Sequence, residues 1–459
     1  MITLKHEHGA PPLYRQIYQQ LQQQILSGEL SAGTRLMASR EQAVSLGVSR
    51  NTVDIAYQQL CAEGYLSSRV GSGYYVQQVP ILEPSAEIVQ QTSEADADEQ
   101  NLPLEYGRFC PERFPLAAFQ KAQNHALQEA AFCTYCPPGG LPELQKQLQK
   151  YLQRSRGVQC QPEQIVIGSG TQALIDLICQ LLRRFCGEVR PAMEDPGYDG
   201  VRYALENNGL RPIPLPVEED GICVQAVRDS RANLVYLTPS HQFPTGAVLP
   251  IQKRLQLIQW AQETEAFLLE DDYDSEFRYA SLPIPSMQSL WPSGQVLYLG
   301  TMSKILSPAL RLSYLVLPPE LLAVYRTYYA SYHCPVATFT QQALTILMEK
   351  GQWDLHLHRL VQYNRRLHDA LAKVLEIGEN RLFTLSGKGA GLHFVLRPLS
   401  DLTETELLSR GASLGLKLYP LSPYYQTEQT DSGIVVGFGS LTPEQIPEIG
   451  EKLLMIFQK

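Results

Sequence analysis

Between positions 13 and 60 the apolar residues recur with helical spacing. Leu13, Ile17, Leu21 and Ile25 fall every four residues, which predicts an amphipathic helix stopped near Gly28. Ser39 and Gln42 have the spacing of a capping box and predict the start of a second helix, which the turn at Leu46 and Gly47 ends. Ser49 is placed to cap a third helix whose Val53, Ala56, Tyr57 and Leu60 form one apolar stripe ending at Gly64. The pattern then changes to YLSSRVGSGYYV, two short strands around the turn from Gly71 to Gly73. Three helices and a hairpin in this order predict a winged helix-turn-helix over 1–79.

From Pro80 to about Pro103 the periodicity stops. The segment IVQQTSEADADEQNLP is polar and acidic, and no Lys or Arg occurs between Arg69 and Arg108, so 80–103 is predicted as a linker. Beyond it, apolar strands alternate with helical stretches. Ile165–Ile167 leads into a helix marked by Leu174, Leu177, Ile178 and Leu181; 234–237, 266–269, 296–299 and 312–317 are further buried-strand candidates. This alternation predicts an α/β domain with a mainly parallel sheet over 104–459.

The length of 459 residues fits two or three domains, since one core seldom grows past about 250 to 300 residues. With 44% hydrophobic and 19% charged residues the composition is that of a soluble globular protein. No secretory leader or membrane-spanning apolar run is evident, and a cytoplasmic location is expected. Nine scattered cysteines, an odd number, suit reduced thiols; Cys133 and Cys136 form a CxxC, but no second pair or nearby His completes a zinc set, and no metal is expected. The net charge of −9 is unevenly spread. The first eighty residues carry six Lys/Arg against five Asp/Glu, so this segment tolerates a polyanion that the acidic remainder would repel.

A recognition helix presents its N-terminal residues to the major groove. Here these are Ser49, Arg50, Asn51 and Thr52, all hydrogen-bond donors, with Arg50 suited to a guanine edge or a phosphate. Ser39 and Arg40 open the preceding helix, and Arg69 with Gly71 lies in the wing, where phosphate contact is natural.

The second domain carries different chemistry. Lys304, in GTMSKILSPALRLSYLV, follows an apolar strand and precedes Arg311 by seven residues. A Schiff-base lysine needs a desolvated pocket to lower its amine pKa, and Arg311 with Thr301 and Ser303 could hold a phosphate beside it. Gly168-Ser169-Gly170-Thr171-Gln172 joins a strand to a helix and offers an anion site at the helix N-terminus. GSGTQA also fits a dinucleotide fingerprint with Glu188 as the distal acid, a reading that leaves Lys304 and Arg311 without a role. In LLEDDYDSEF, an acid at the strand end can keep a pyridine nitrogen protonated, and Tyr273 can reach a ring oxygen. Asp271 and Asp272 form instead a weak metal candidate, and Tyr198 in EDPGYDG is either a ring-stacking residue or a packed loop tyrosine.

Residues 11–77 resemble the winged helix of GntR-type regulators, most specifically in GVSRNTV and the wing; MASR at 37–40 departs from the usual Pro-Ser-Ser/Thr-Arg stretch. Residues 104–459 resemble fold-type I aminotransferases, which use pyridoxal 5'-phosphate. The resemblance implies Gly170, Thr171 and Arg311 for the phosphate, Tyr198 for stacking, Asp271 for the ring nitrogen, Tyr273 for the ring oxygen and Lys304 for the Schiff base. It also implies that Tyr135 reaches the phosphate from a neighbouring subunit, hence a homodimer. The combination resembles the MocR subfamily, including its regulators of γ-aminobutyrate use and of vitamin B6 synthesis, and implies double-stranded operator DNA and an amine or amino-acid effector as partners.

Two departures from the enzyme pattern stand out. HQFPTG replaces Asn-Pro-Thr-Gly, so Phe243 occupies the Asn position and the ring-oxygen contact falls to Tyr273, His241 or Gln242. Val435 stands where an α-carboxylate-binding Arg is expected, and no Arg follows Arg410; Arg202 or another residue elsewhere is the alternative clamp. Little or no transaminase turnover is therefore expected. The competing readings are an active aminotransferase with an accessory DNA-binding domain, and a regulator whose site has lost the cofactor.

Overall fold

The structure, a computed structural model, describes residues 2–5, 10–69, 71–80, 101–128, 134–279, 284–427 and 432–458. The chain forms two compact units, Met1–Ala95 and Asp96–Lys459. Most of the expected linker, and Cys133 of the CxxC, lie outside the described residues.

In the first unit, helices Leu13–Leu26, Ser39–Leu46 and Arg50–Ala62 precede the hairpin Leu66–Arg69 and Gly73–Val76. The predicted stripes meet in one core: Ile17, Leu21 and Ile25 bury against Val53, Ala56, Tyr57 and Leu60, closed by Leu66 and Val76. At about 1.5–3 kcal/mol for each fully buried large side chain, this stripe is the main source of stability in so small a unit. Gly47 ends the second helix at φ 67°, a left-handed cap that a side chain would strain. Ser49 caps the third helix, its hydroxyl accepting from the Thr52 N–H at 3.2 Å. The capping box at Ser39 does not form. The cap is Ala38, Ser39 is already helical with its side chain buried, and the Tyr57 hydroxyl donates to the Met37 carbonyl at 3.1 Å, so the entry is held from the core.

The second unit is built on an eight-stranded sheet in the order Ile165–Gly168, Ser313–Val316, Val296–Thr301, Phe267–Asp272, Leu234–Leu237, Pro191–Asp195, Ile213–Glu218, Gly221–Ile222. The five strands from Val296–Thr301 to Ile213–Glu218 are parallel, whereas Ser313–Val316 runs against both neighbours and Gly221–Ile222 against its own. The expected strands are all present. The sheet is mainly parallel, as expected, with its antiparallel strands second from one edge and at the other edge. Helix Thr171–Cys186 packs Leu174, Ile178 and Leu181 onto one face, and Leu257, Trp260 and Ala261 of helix Ile251–Thr264 cover the other. A separate four-stranded antiparallel sheet contains Phe383–Ser386, His393–Pro398, Ile434–Gly437 and Tyr419–Pro420. Leu102 and Pro103, assigned to the linker by composition, pair in parallel with Leu416 and Lys417, a two-residue contact too short to leave a periodic signal. Among the described residues no helix is long and apolar enough to cross a membrane.

Candidate functional site

The carboxyl ends of the parallel strands open onto a cavity of about 670 Å³, where α/β sheets commonly bind ligands. Gly168, Asp271 and Thr301 lie at such ends, and the register that places Ser313 opposite both Gly168 and Thr301 brings Arg311, just before it, to the same edge. Gly170, Thr171, Tyr198, Asp271, Tyr273, Thr301, Ser303, Lys304 and Arg311 all line this one cavity.

At one end, Gly170 caps helix Thr171–Cys186 at φ 102° and would, with a Cβ, collide with the Arg311 guanidinium. The absent side chain thus lets a cation lie directly over a helix N-terminus, a cradle for a dianion. Arg311 donates to the Ser169 carbonyl at 3.2 Å, and Thr301, Ser303 and Ser313 hydroxyls form a short chain with 3.0 Å links.

Lys304 lies in the middle, reachable from the cavity yet enclosed by protein. Its Nζ sits 4.0 Å from the centroid of the Tyr106 ring, and a Cβ on Gly107 would come within 2.5 Å of it. Desolvation brings the amine down to about 8, despite the opposing pull of Asp274, Asp271 and Glu105. On the floor, Asp271 accepts the Tyr236 hydroxyl at 2.8 Å, and burial pushes its carboxyl up to about 7. A cationic ring nitrogen beside it would supply the missing counter-charge.

Strand alternation sends Asp271 and Asp272 to opposite faces, which removes the paired-aspartate metal reading. Asp272 instead forms a buried ion pair with Arg156 at 2.6 Å and accepts the Ser275 and Tyr298 hydroxyls. The distal acid of the dinucleotide reading, Glu188, is exposed in a pair with Arg190 and does not line the cavity.

His241 and Gln242 are also committed elsewhere. Gln242 donates to the Pro196 carbonyl at 2.8 Å and to that of Phe243 at 2.6 Å, while His241 Nδ1 lies 2.9 Å from Asp274. Tyr273 remains at the cavity, its hydroxyl donating to the His241 carbonyl at 2.8 Å. Phe243 packs between Tyr106 and Tyr424, with centroids at 4.9 and 5.0 Å, and makes that wall apolar where an Asn would make it polar. Val435 is wholly buried behind the cavity, and Arg202 donates to the Tyr425 and Pro423 carbonyls at 2.8 and 3.0 Å, so it is occupied in holding that loop. Tyr135 lies outside the cavity of its own chain, 81% exposed and stacked on His333 at 4.2 Å. Cys136 is buried near Gln341, which also contacts Cys334.

Sequence reasoning missed the wall formed by Glu105, Tyr106, Gly107 and Arg108, whose only local signal is a Tyr-Gly-Arg run after the linker. It also missed the buried grouping of His241, Asp274 and His393, which backs Tyr273.

On the first unit, Arg40, Ser49, Arg50 and Asn51 are exposed and Thr52 is partly so. Arg50 is ion-paired to Asp54 at 3.3 Å with 68% of its side chain exposed. Arg69 lies over the Tyr75 ring at 4.6 Å, and Gly71 turns the wing at φ 73°. Ser39 departs from expectation: its side chain is buried by its position inside the helix and offers no surface hydroxyl.

Residues 104–408 match the family model of aminotransferase class I and II, and residues 13–76 that of the bacterial regulatory proteins of the gntR family. The chain is 35% identical over 451 residues to the uncharacterized HTH-type transcriptional regulator YdeL of Bacillus subtilis, covering 96% of each chain. It is 33% identical over 466 residues to the probable rhizopine catabolism regulatory protein MocR of Rhizobium meliloti, covering 95% of this chain and 92% of that one. The crystal structure of Pyrococcus horikoshii kynurenine aminotransferase superimposes with a TM-score of 0.70 at 22% identity, over 78% of this chain and 91% of that one. At that identity the likeness is one of fold.

Proposed function

The chain belongs to the MocR subfamily of GntR-type transcriptional regulators, and from that premise we propose that it binds operator DNA through its first unit and pyridoxal 5'-phosphate through Lys304 of its second. The domain limits that go with this reading are 1–79 for DNA binding, 80–103 for the linker and 104–459 for the effector unit.

The observation that carries the cofactor assignment is the lowered, enclosed amine of Lys304 between a dianion cradle and a buried carboxylate. When bound, the cofactor supplies an aldehyde carbon that captures amines and a ring that withdraws electrons. With its amine brought down to about 8, Lys304 has a far larger neutral, nucleophilic fraction near physiological pH than an exposed lysine. Arg311, the Gly170–Thr171 backbone and the Thr301 and Ser303 hydroxyls bind the phosphate; Asp271 holds a proton at the ring nitrogen; Tyr198 stacks on the ring. A bond from Tyr273 to the ring oxygen would replace its present bond to His241. Tyr135, exposed in its own chain, reaches the phosphate of a neighbouring subunit in a homodimer.

With Val435 buried and Arg202 engaged, neither of the two expected positions offers an arginine that would fix an α-carboxylate and so align the Cα–H bond with the ring. The protein therefore senses an amine-bearing ligand in the cytoplasm and turns over common α-amino acids slowly or not at all. Arg40, Ser49, Arg50, Asn51, Thr52, Arg69 and the Gly71 turn form the DNA-facing surface.

The test is spectroscopic. Protein incubated with pyridoxal phosphate should gain a visible absorption band that borohydride fixes covalently on the Lys304 peptide, and Lys304→Ala should lose it. An unchanged band in that variant would refute the assignment. In single turnover, rapid conversion to the pyridoxamine form with an ordinary α-amino acid would favour the enzyme reading.

A further inference from the structure

Among the described residues, three cationic side chains line the cavity: Arg108, Lys304 and Arg311. Arg311 lies over the helix N-terminus against Gly170, and Lys304 is enclosed beside Tyr106. Arg108 and Arg311 are both exposed, and with Arg311 assigned to the phosphate Arg108 is the cation left for another anion. It stands on the short wall that covers Lys304, since Tyr106 supplies the ring beneath the amine and Gly107, at φ 96°, has no room for a side chain against it.

The guanidinium of Arg108 donates through Nε to Glu105 at 3.0 Å, with the two side chains 52% and 47% exposed. An exposed pair of this kind is weak and readily exchanged. A ligand carboxylate held in place by its own amine would instead gain a two-pronged contact, the geometry in which arginine binds carboxylates best. Carboxylates of Glu105, Asp199 and Asp271 line the same cavity, so with Arg311 assigned to the phosphate Arg108 offers the favourable position for a ligand carboxylate.

We infer that Arg108 binds the carboxylate of the effector, so that the effector class is an amino acid whose amine reaches Lys304 while its acid displaces Glu105 from Arg108. This rests on the amine-sensing reading of the Lys304 site. Arg108 lies four residues beyond Leu104, on the segment by which the chain enters the second unit, where Leu102 and Leu104 donate to the Gly415 and Lys417 carbonyls.

The experiment compares matched ligands on the full-length protein: glycine against methylamine, β-alanine against ethylamine and 4-aminobutyrate against propylamine. Affinity is read both from the cofactor spectrum and by calorimetry. At least one acid should bind tenfold or more tightly than its decarboxylated partner, Arg108→Gln should erase that preference while leaving the plain amines unchanged, and Glu105→Gln should strengthen the acid several-fold. No preference in the wild type, or a preference that survives Arg108→Gln in a protein with unchanged thermal unfolding, overturns the inference. A calorimetric preference removed by Arg108→Gln in a protein without the visible band supports Arg108 and refutes the cofactor assignment instead.

Discussion

The two units use charge in opposite ways. In the winged helix the arginines proposed to face DNA stand in water: Arg50 is 68% exposed and shares its charge with Asp54 one helical turn away. In the second unit the decisive charges are enclosed, with Arg156 against Asp272, Asp271 against Tyr236 and Lys304 against the Tyr106 ring. Water screens the first set, so each member contributes modestly and the sum governs affinity for a polyanion. Burial amplifies the second set, so each group is individually consequential, and pKa values move. Binding DNA needs many replaceable donors; holding one aldehyde cofactor needs a single deprotonated lysine.

The sharpest way to break this contrast is to remove a buried charge. Arg156→Met leaves the Asp272 carboxylate enclosed without its counter-ion, and should cost about 3–5 kcal/mol in the urea unfolding of the second unit. The unfolding of residues 1–95 should be unaffected. A loss below about 1 kcal/mol would mean that water reaches Asp272 and that this interior is not the low-dielectric medium assumed.

The next effect concerns Lys304. Its folded pKa of about 8 lies well below the ordinary 10.5, and the neutral amine is the nucleophile. Capture of pyridoxal phosphate should therefore accelerate as pH rises toward about 8 and level off above it, as followed by stopped-flow absorbance. A rate still climbing tenfold per unit at pH 9 would place the amine in water.

In the first unit the effects shrink. Arg50→Ala should weaken operator binding by about 1–3 kcal/mol if it reads a base, and the wild-type affinity should fall steeply with added salt. A salt-independent affinity would contradict an exposed, screened interface. Ser49→Ala removes the cap that accepts from Thr52 and should lower the stability of the unit by about 1 kcal/mol in denaturant titration. A loss above about 3 kcal/mol would show that this surface is not independent of the core.

The same contrast governs what could be read from the sequence. The winged helix is nearly all local: four-residue spacing, glycine stops and the Ser49 cap specify it, and the failure at Ser39 arises where a contact from Tyr57 overrides the local signal. In the second unit the strands with uninterrupted Val, Ile and Leu are evident. Strand Ile213–Glu218 is hidden by its two prolines, tolerated because it lies next to the sheet edge and pairs on that side only at Val217 and Glu218. Arg156 reads as an ordinary basic residue in the last turn of a helix, yet its partner lies 116 residues away. Lys304 and Arg311 stand out after an apolar strand, whereas among the acids of LLEDDYDSEF only the resemblance to aminotransferases singles out Asp271. Tyr106, Gly107 and Arg108 do not stand out, since only the fold brings that wall over Lys304.

On the proposed function, occupancy of the Lys304 site is felt by the DNA-binding unit. The most direct test is the operator affinity of the full-length, cofactor-loaded protein with and without a saturating amino-acid ligand, in the wild type and in Lys304→Ala. A coupling of about 1–3 kcal/mol, or roughly 5- to 150-fold, is expected in the wild type and none in the variant. A ligand response that persists without Lys304 would contradict the account.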